Sequence, residues 1–326
     1  MAFATQVDVA NRALQHLGIP RITAFTDSSK QAKEIGFCYD KIRRAELRRS
    51  VWTFATRRSV LRPLISTSRL VTFSVYSAAT TYAVGDVVQT SDGYLWLSVG
   101  APLAITPGGE GVSPNWIPYF GPVVAQAWDA TISYYAGDVV WVSTAAYIAT
   151  APSLNHTPPN ATYWHVIVGA TVSVAPILYP VGVNPDGTMR NIYYLPANFL
   201  RIAPQDPKAA AVVRLGVTAG MQYNDWEIEG NLLSTAQVSP IIFRFVADHT
   251  SPSLMDDLFN EVWAAHIAAE LCETMTQSHE KLVDMQGIWK DYLAIAKLTT
   301  SIEGGSTEDE VQEGGLSAPG GQPAGR

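Results

Sequence analysis

Apolar residues near the start of the chain recur at helical spacing. Val9, Ala13 and Leu17 share one face of a helix, which the Gly-Ile-Pro segment at 18–20 brings to an end. A second set with the same spacing follows, at Ile35, Tyr39, Ile42 and Ala45. We therefore expect a helical hairpin in this part of the chain.

Two further helices are predicted after residue 250. Ser251 and Pro252 offer an N-cap and a first-turn proline to the first of them. Its apolar stripe consists of Leu258, Val262, Ala265, Ala269, Cys272 and Met275. The stripe of the second helix consists of Leu282, Met285, Trp289, Tyr292 and Ala296. We expect this pair to pack antiparallel against the N-terminal pair and to form a helical bundle with it.

Between about residues 192 and 246 the pattern changes to short segments rich in β-branched and aromatic residues. Segments 226–229, 231–235 and 241–245 each read as a strand, and Gly230 with Asn231 forms a hairpin signal between the first two. Prolines interrupt this region at 196, 204, 207 and 240, which favours a small central sheet or barrel over a long flat sheet. The predicted fold class is α+β.

A stretch of different composition interrupts this framework. Residues 70–189 contain neither Lys nor Arg, although five of the nine tryptophans of the chain lie there. The core sequence Tyr-x-x-Gly-Asp-Val-Val occurs twice, with Tyr82 and Asp86 recurring 52 positions later as Tyr134 and Asp138. We also align Tyr94 with Tyr147, Tyr76 with Trp128 and Trp116 with Trp164.

The repeat predicts an inserted pair of all-β modules, at 71–122 and 123–175. The framework would then comprise residues 1–70 and 176–302. Modules of this size have marginal cores, so their aromatic rings either stack to stabilise the module or remain exposed to bind a ligand. The sequence leaves these two alternatives open.

Overall composition adds three expectations. No apolar run reaches the roughly 18 residues of a membrane helix, and the first residues lack the layout of a signal peptide, so we expect a protein that stays in the cytoplasm where it is made, without membrane insertion. Cys38 and Cys272 lack a partner spacing and should be buried free thiols. Residues 303–326 are Gly, Ser, Pro and acidic residues, which predicts a flexible acidic tail.

Catalytic motifs are absent from the sequence. It contains no nucleophile elbow, phosphate-binding loop, dinucleotide fingerprint or zinc-protease motif. His266 and Glu270 lie one helical turn apart but lack a third ligand at a recognisable spacing. We therefore expect no enzyme activity, no catalytic residues, no metal and no cofactor.

Basic residues concentrate before the inserted stretch, and nine of the 22 lie between 41 and 69. Arginine binds phosphate groups, yet it also forms bidentate pairs across protein interfaces, and the net charge of −7 weighs against general nucleic-acid affinity. We favour an assembly interface between subunits. Its expected residues are Arg43, Arg44, Arg48, Arg49, Arg57 and Arg58.

Four stretches in order resemble the tail tubular protein A family, the head-to-tail adaptor or connector subunits of short-tailed bacteriophages. They are NRALQHLGIP at 11–20 followed by YDKIRRAEL at 39–47 and WTFA at 52–55, YLPANFLR at 194–201, WEIEGN at 226–231, and the helix pair with segments 264–276 and 292–296. One departure is Asn198, where the family usually has Asp. This difference removes a possible charge pair, and we expect it to leave the fold unchanged.

The resemblance implies a structural virion protein of the tail or neck. Such a subunit forms a homo-oligomeric ring of twelve copies, contacts the portal protein and the tail nozzle protein, and lines the exit path of the genome DNA without binding a specific sequence. The inserted stretch resembles paired carbohydrate-binding modules of the small chitin-binding type and should project outward. On that likeness, Tyr94, Trp96, Trp141 and Tyr147 are candidates for binding a host surface glycan, with Trp96 and Trp141 exposed.

Two other functions remain open at this stage. The alternative to the adaptor is a carbohydrate-binding tail protein without a connector role. A glycan hydrolase would need two carboxylates about 5 to 9.5 Å apart in a cleft, and the inserted stretch offers few carboxylates. The enzymatic alternative is therefore the weakest.

Overall fold

The computed structural model of the protein describes residues 3–65, 67–100, 106–107, 115–174, 191–203, 226–235 and 240–304. Within these ranges the chain has a mixed α+β structure, as the sequence predicts, with helices towards both ends and strands between them. The helices are α1 (Gln6–Leu17), α2 (Lys30–Arg49), α3 (Asp257–Thr276) and α4 (His279–Gly304). None of the described helices is long and apolar enough to cross a membrane.

The strands are short and belong to five sheets within the described ranges. In chain order they are β1 (Thr56–Leu61), β2 (Arg69–Thr72), β3 (Ser74–Val75), β4 (Val87–Gln89), β5 (Leu95–Ser98), β6 (Trp116–Pro118), β7 (Val124–Ala127), β8 (Ser133–Tyr134), β9 (Val139–Val142), β10 (Ala145–Ala149), β11 (Ser153–Leu154), β12 (Trp164–Val166), β13 (Thr171–Val174), β14 (Asn191–Tyr194), β15 (Phe199–Ile202), β16 (Trp226–Glu229), β17 (Leu232–Thr235) and β18 (Ile241–Ala247).

Local capping sets the helix ends. Thr5 and Asp8 form a reciprocal capping box at the start of α1, and Gly18 ends that helix in the left-handed conformation (φ 68°), at the predicted position. The predicted start of the third helix is wrong. Ser251 and Pro252 begin a short 3-10 helix (Pro252–Leu254), whereas the Asp256 side chain caps α3 by accepting from the amide of Leu258.

The four helices share one hydrophobic core, in which α3 is buried around almost its whole circumference. Trp263 of α3 donates to the carbonyl of Tyr39 in α2 at 3.2 Å, and Lys281 of α4 donates to the carbonyl of Leu17 in α1 at 2.6 Å. The thiols of Cys38 and Cys272 are free and buried, which confirms that prediction. Segments from both ends of the described chain therefore fold against each other.

Two three-stranded sheets have the strand orders β1-β18-β15 and β14-β17-β16, and the first packs against the helices through Leu200 and Val246. Their side chains share a core around Tyr193, Phe243 and Phe245. The predicted hairpin is confirmed: β16 and β17 pair antiparallel around Gly230, whose φ is +59°. Strand β1 was not predicted, and it pairs with β18 over six residues of the basic stretch.

The stretch between β1 and β14 forms its own sheets. A four-stranded sheet has the order β3-β4-β5-β6, and a six-stranded sheet has the order β12-β10-β9-β7-β2-β13. Strands β2 and β13 pair antiparallel, so the two ends of residues 69–174 meet. A third sheet is the two-stranded pair β11-β8.

The two sequence repeats make matching contacts. In the first copy the backbone amide of Ser77 donates to the Tyr82 hydroxyl, and in the second the amide of Asp129 donates to the Tyr134 hydroxyl, both at 2.8 Å. Each copy pairs a parallel strand couple with a hairpin, β3-β4-β5 and β7-β9-β10. Each also buries its own aromatic cluster.

One predicted equivalence is wrong. Tyr147 lies opposite Val140, just as Trp96 lies opposite Val88, so Tyr147 is the counterpart of Trp96 and not of Tyr94. The hairpin is one residue shorter in the second copy, because the paired residues Val140 and Tyr147 are seven positions apart, whereas Val88 and Trp96 are eight positions apart. The expected acidic tail lies outside the described residues except for Glu303 and Gly304, which belong to α4.

Candidate assembly site

The arginine stretch leads to a buried ionic cluster. The Arg43 side chain is fully buried, and its guanidinium contacts the Asp248 carboxylate and the carbonyl of His249, which follow β18. It also donates to the Tyr94 hydroxyl at 3.1 Å and to Asp40 at 3.2 Å. Burial by itself would lower the pKa of Arg43, but Asp248, Tyr94 and Asp40 outweigh burial and raise it.

Tyr94 connects this cluster to the first repeat copy. Arg44 donates to the Tyr94 hydroxyl at 2.9 Å and to Asp248 at 3.0 Å, and the hydroxyl itself donates to Asp248 at 2.8 Å. Helix α2, the segment after β18 and the β4–β5 turn therefore meet at one carboxylate. A charged cluster with three contributing segments fixes their relative positions.

Next to this cluster lies His249, whose side chain is almost fully buried. Neither ring nitrogen has a hydrogen-bond partner among the described residues. The ring lies 4.9 Å from Phe120, over which Arg57 also stacks at 5.2 Å. Burial first, and then Arg57 and Arg43, lower the pKa of His249 to about 3, so the ring is neutral at physiological pH. Burial also lowers the pKa of Arg57.

The six predicted interface arginines fall into different environments. The side chain of Arg43 lies inside the subunit, so its assignment to a contact between subunits is wrong. Arg44, Arg48, Arg49 and Arg58 are exposed, and Arg57 is half-buried. Arg48 donates to the carbonyl of Leu200 at 3.0 Å, and Arg49 stacks over Trp289 at 4.9 Å. Helix α2 thus carries both a structural arginine and exposed basic residues.

The helices also enclose an acidic cleft of about 290 Å³ between α3 and α4. His266, Glu270, Glu273 and Trp289 contribute to its lining. The His266 ring stacks on Trp289 at 4.3 Å, and its Nδ1 lies 2.6 Å from the buried carboxylate of Glu46. No three His, Cys, Asp or Glu side chains in the described ranges are arranged to hold a metal ion.

The four aromatic glycan candidates are not together on one exposed face. Trp96 is only 3% exposed and packs in the first aromatic cluster, so the expectation that its ring is exposed is wrong. The Tyr94 hydroxyl belongs to the Arg43 cluster. Trp141 donates to the carbonyl of Thr67 at 2.8 Å, and Arg69 lies 4.9 Å over its ring. Tyr147 is partly buried in the second aromatic cluster.

The repeated aspartates turn out to join different parts of the molecule. Asp86 accepts from the amides of Ala83 and Val168 and contacts His165 of the second copy at 2.9 Å. Asp138 accepts from the amide of Tyr135 and from Arg62, which follows β1, at 2.7 Å. Each aspartate caps its own turn by accepting from the amide three residues before it. Their additional partners lie too far along the chain for the sequence to indicate them.

The sequence also did not indicate that Asp248, His249 and Glu46 belong to this site. The only signal in the sequence is their position: Asp248 and His249 directly follow the strand-like segment 241–247, and Glu46 lies on the predicted inner half of α2.

No protein-family model matches the chain, and no curated protein matches it.

Proposed function

We propose that the protein is a ring-forming head-to-tail adaptor of a bacteriophage, joining the portal protein to the tail nozzle protein around the path of the genome DNA. Twelve copies would form the ring in the virion neck. The helices together with sheets β1-β18-β15 and β14-β17-β16 would be the adaptor body. The paired repeats of residues 69–174 would be an insertion that projects outward.

The observation that carries this proposal is the shared core of the four helices. The four family-like stretches lie far apart in sequence, yet Trp52 and Leu200 from two of them pack in one core with Trp263. The surroundings of Asn198 account for this departure from the family pattern, since its left-handed φ of 56° suits Asn and its side-chain amide donates to the carbonyl of Tyr119 at 3.2 Å. An Asp at this position could not donate that hydrogen bond to the inserted stretch.

The glycan-binding alternative has less support, because Trp96 is buried and Tyr94 is engaged within the subunit. The arginines that are exposed on α2 and β1 suit contacts with neighbouring proteins or with the DNA backbone. No catalytic role is part of the proposal.

The position of the protein in the virion tests the proposal. Thr144 lies at the exposed turn between β9 and β10, so a gold particle coupled to Thr144→Cys marks the second repeat copy. The unmodified chain is the matched control, because its two cysteines are buried. Electron microscopy of virions is expected to show gold at the periphery of the neck. Gold at the capsid surface or at the tail tip would exclude the adaptor function.

A further inference from the structure

Helix α2 carries an exposed aromatic residue between two lysines. Phe37 is 83% exposed, and Lys33 and Lys41 lie one helical turn before and after it on the same face. Neither lysine has an ion pair or a side-chain hydrogen bond with another described residue, whereas the carboxylate of the nearby Asp40 is paired with Arg43. We call Lys33, Phe37 and Lys41 the α2 patch.

Helix α4 carries a complementary surface near its C-terminal end. Ile295, Leu298 and Ile302 recur at spacings of three and four on one face, and their exposed fractions are 52%, 63% and 73%. Asp291 precedes Ile295 by one turn on the same face and is also exposed. We call Asp291, Ile295, Leu298 and Ile302 the α4 patch.

The two patches match in chemistry and in spacing. Phe37 offers a large apolar ring to the apolar half of the α4 patch, and a lysine lies four residues from it on either side, about 6 Å along the axis. Asp291 lies the same distance from Ile295. Packing Phe37 against Ile295 and Leu298 thus places one of the two lysines beside Asp291, whichever way the helices run.

The segment that follows α4 is a poor chemical match for the α4 patch. Residues 305–326 offer Val311 and Leu316 as their only large apolar side chains, and their charges are mostly negative, as at Asp291. Both patches belong to helices that bury their opposite faces in the shared core. A second copy of the chain supplies both the aromatic ring and the positive charges that the α4 patch needs.

We propose that the α2 patch of one copy docks onto the α4 patch of the next copy. The inference rests on the proposed ring-forming function and assigns its lateral contact. Because the two patches are different surfaces of the same chain, the contact is heterologous and leaves one free patch of each kind on every dimer. Repetition of this contact adds subunits in one rotational sense, as a ring requires.

Disulfide trapping tests the contact without altering either patch. Gly36 and Ala294 are exposed neighbours of Phe37 and Ile295, and a Cβ at Gly36 meets no atom within 4 Å. The full chain with Gly36→Cys and Ala294→Cys, incubated with oxidised glutathione, is expected to give a ladder of covalent oligomers. Equal amounts of the two single-cysteine chains should give covalent dimers and nothing larger. The control pair is Gly36→Cys with Thr144→Cys, whose second thiol lies on the β9–β10 turn and outside both patches.

Substitutions in the same background probe the chemistry. Phe37→Asp should reduce trapping roughly thirtyfold, the loss typical of a buried aromatic anchor. Replacing both Lys33 and Lys41 by Glu should also reduce it, and adding Asp291→Lys should restore it. Leu154→Asp, an exposed apolar position on β11, should change nothing.

The outcomes separate this contact from the proposed function. The contact would be overturned if trapping were no stronger than in the control pair, or if Phe37→Asp left it unchanged. Either result is also expected if another segment of the chain or another protein covers the patches. Gold at the neck would leave the adaptor function standing in that case. If the covalent ladder forms but the gold label lies elsewhere in the virion, the contact between copies is supported and the adaptor function is excluded.

Discussion

Arg43 carries its positive charge into the interior, where Asp248 is its close anionic partner. Replacing Asp248 by Asn keeps the shape of the side chain but leaves Arg43 as a buried cation with far less compensation. We expect Asp248→Asn to lower the free energy of unfolding by about 3 to 5 kcal/mol, measured by urea denaturation.

The control for this prediction is Asp40→Asn, because the Asp40 side chain also contacts Arg43 but is 69% exposed. Solvent screens that pair, so its loss should cost about 1 kcal/mol or less. Equal losses in the two variants would contradict a dominant role for the buried carboxylate.

His249 makes stability depend on pH below neutrality. The unfolded histidine takes up its proton near pH ~6.5, whereas the folded protein holds the pKa at about 3. Between these values the unfolded state binds more protons, so the free energy of unfolding falls as the pH falls, by up to about 1.4 kcal/mol per pH unit.

His249→Leu should remove this contribution and flatten the acid side of the stability profile, measured by urea denaturation at a series of pH values from 7 to about 4. His279→Leu is the matched control, since His279 is exposed at the start of α4. The same slope in both variants would show that His249 is not the group responsible.

These residues show what the sequence can and cannot indicate at this scale. The spacing of the arginines identified a special stretch, and the periodicity of α2 placed Arg43 beside the inner positions Tyr39 and Ile42. The partner of Arg43 lies 205 positions later in the chain. No local sequence rule links two residues so far apart. The sequence alone therefore could not show whether Arg43 forms a buried ion pair or belongs to an exposed interface.

At the scale of elements, the two repeat copies provide an internal comparison. Gly85 and Gly137 occupy equivalent turns with φ values of 101° and 93°. A Cβ at Gly85 would lie 2.8 Å from the ring of His165, which Asp86 holds in place, whereas a Cβ at Gly137 meets no atom within 4 Å.

Both Gly→Ala variants should therefore lose about 1 to 2 kcal/mol from backbone strain, and Gly85→Ala should lose about 1 to 3 kcal/mol more from the collision. Thermal unfolding of the two variants side by side measures the difference directly. Adding His165→Ala to Gly85→Ala should remove the extra loss of the collision; if Gly137→Ala costs as much as Gly85→Ala, the collision is relieved in another way.

Elements with strong periodicity or specific end signals were predictable. Gly18 follows a periodic helical segment, and Gly230 lies between two strand-like segments. The structure has the predicted helix end and the predicted hairpin at these positions. Strand β1 was missed because its two arginines read as part of a charged surface, while its pairing with β18 depends on residues 241–246. The register of Tyr147 was misassigned because a turn shortened by one residue shifts every later equivalence, and counting cannot locate the shift.

At the scale of the whole molecule, residues 69–174 and the helices have separate cores joined by few contacts. Tyr94 links the first repeat copy to the Arg43 cluster, and Arg62 links the second copy to the segment after β1 through Asp138. Each repeat copy has an aromatic cluster of four buried residues beside an apolar core that the two copies share. These clusters are much smaller than the helical core, so we expect them to depend on the links more than the helical core does.

We predict that combining Tyr94→Phe with Arg62→Gln uncouples the two parts. Loss of a hydrogen bond to a charged group costs about 1.5 to 3 kcal/mol, and both substitutions remove such bonds at the boundary.

In urea, tryptophan fluorescence reports mainly on residues 69–174, which hold five of the nine tryptophans, whereas circular dichroism at 222 nm reports on the helices. The two transitions should coincide in the unmodified chain, and the fluorescence transition should move to lower urea in the double variant. Tyr135→Phe, at a half-exposed ring of the second copy, should leave them coincident. If the transitions of the double variant still coincide, the apolar contact of Ala197 with the repeat core, and not the polar links, holds the molecule together as one cooperative unit.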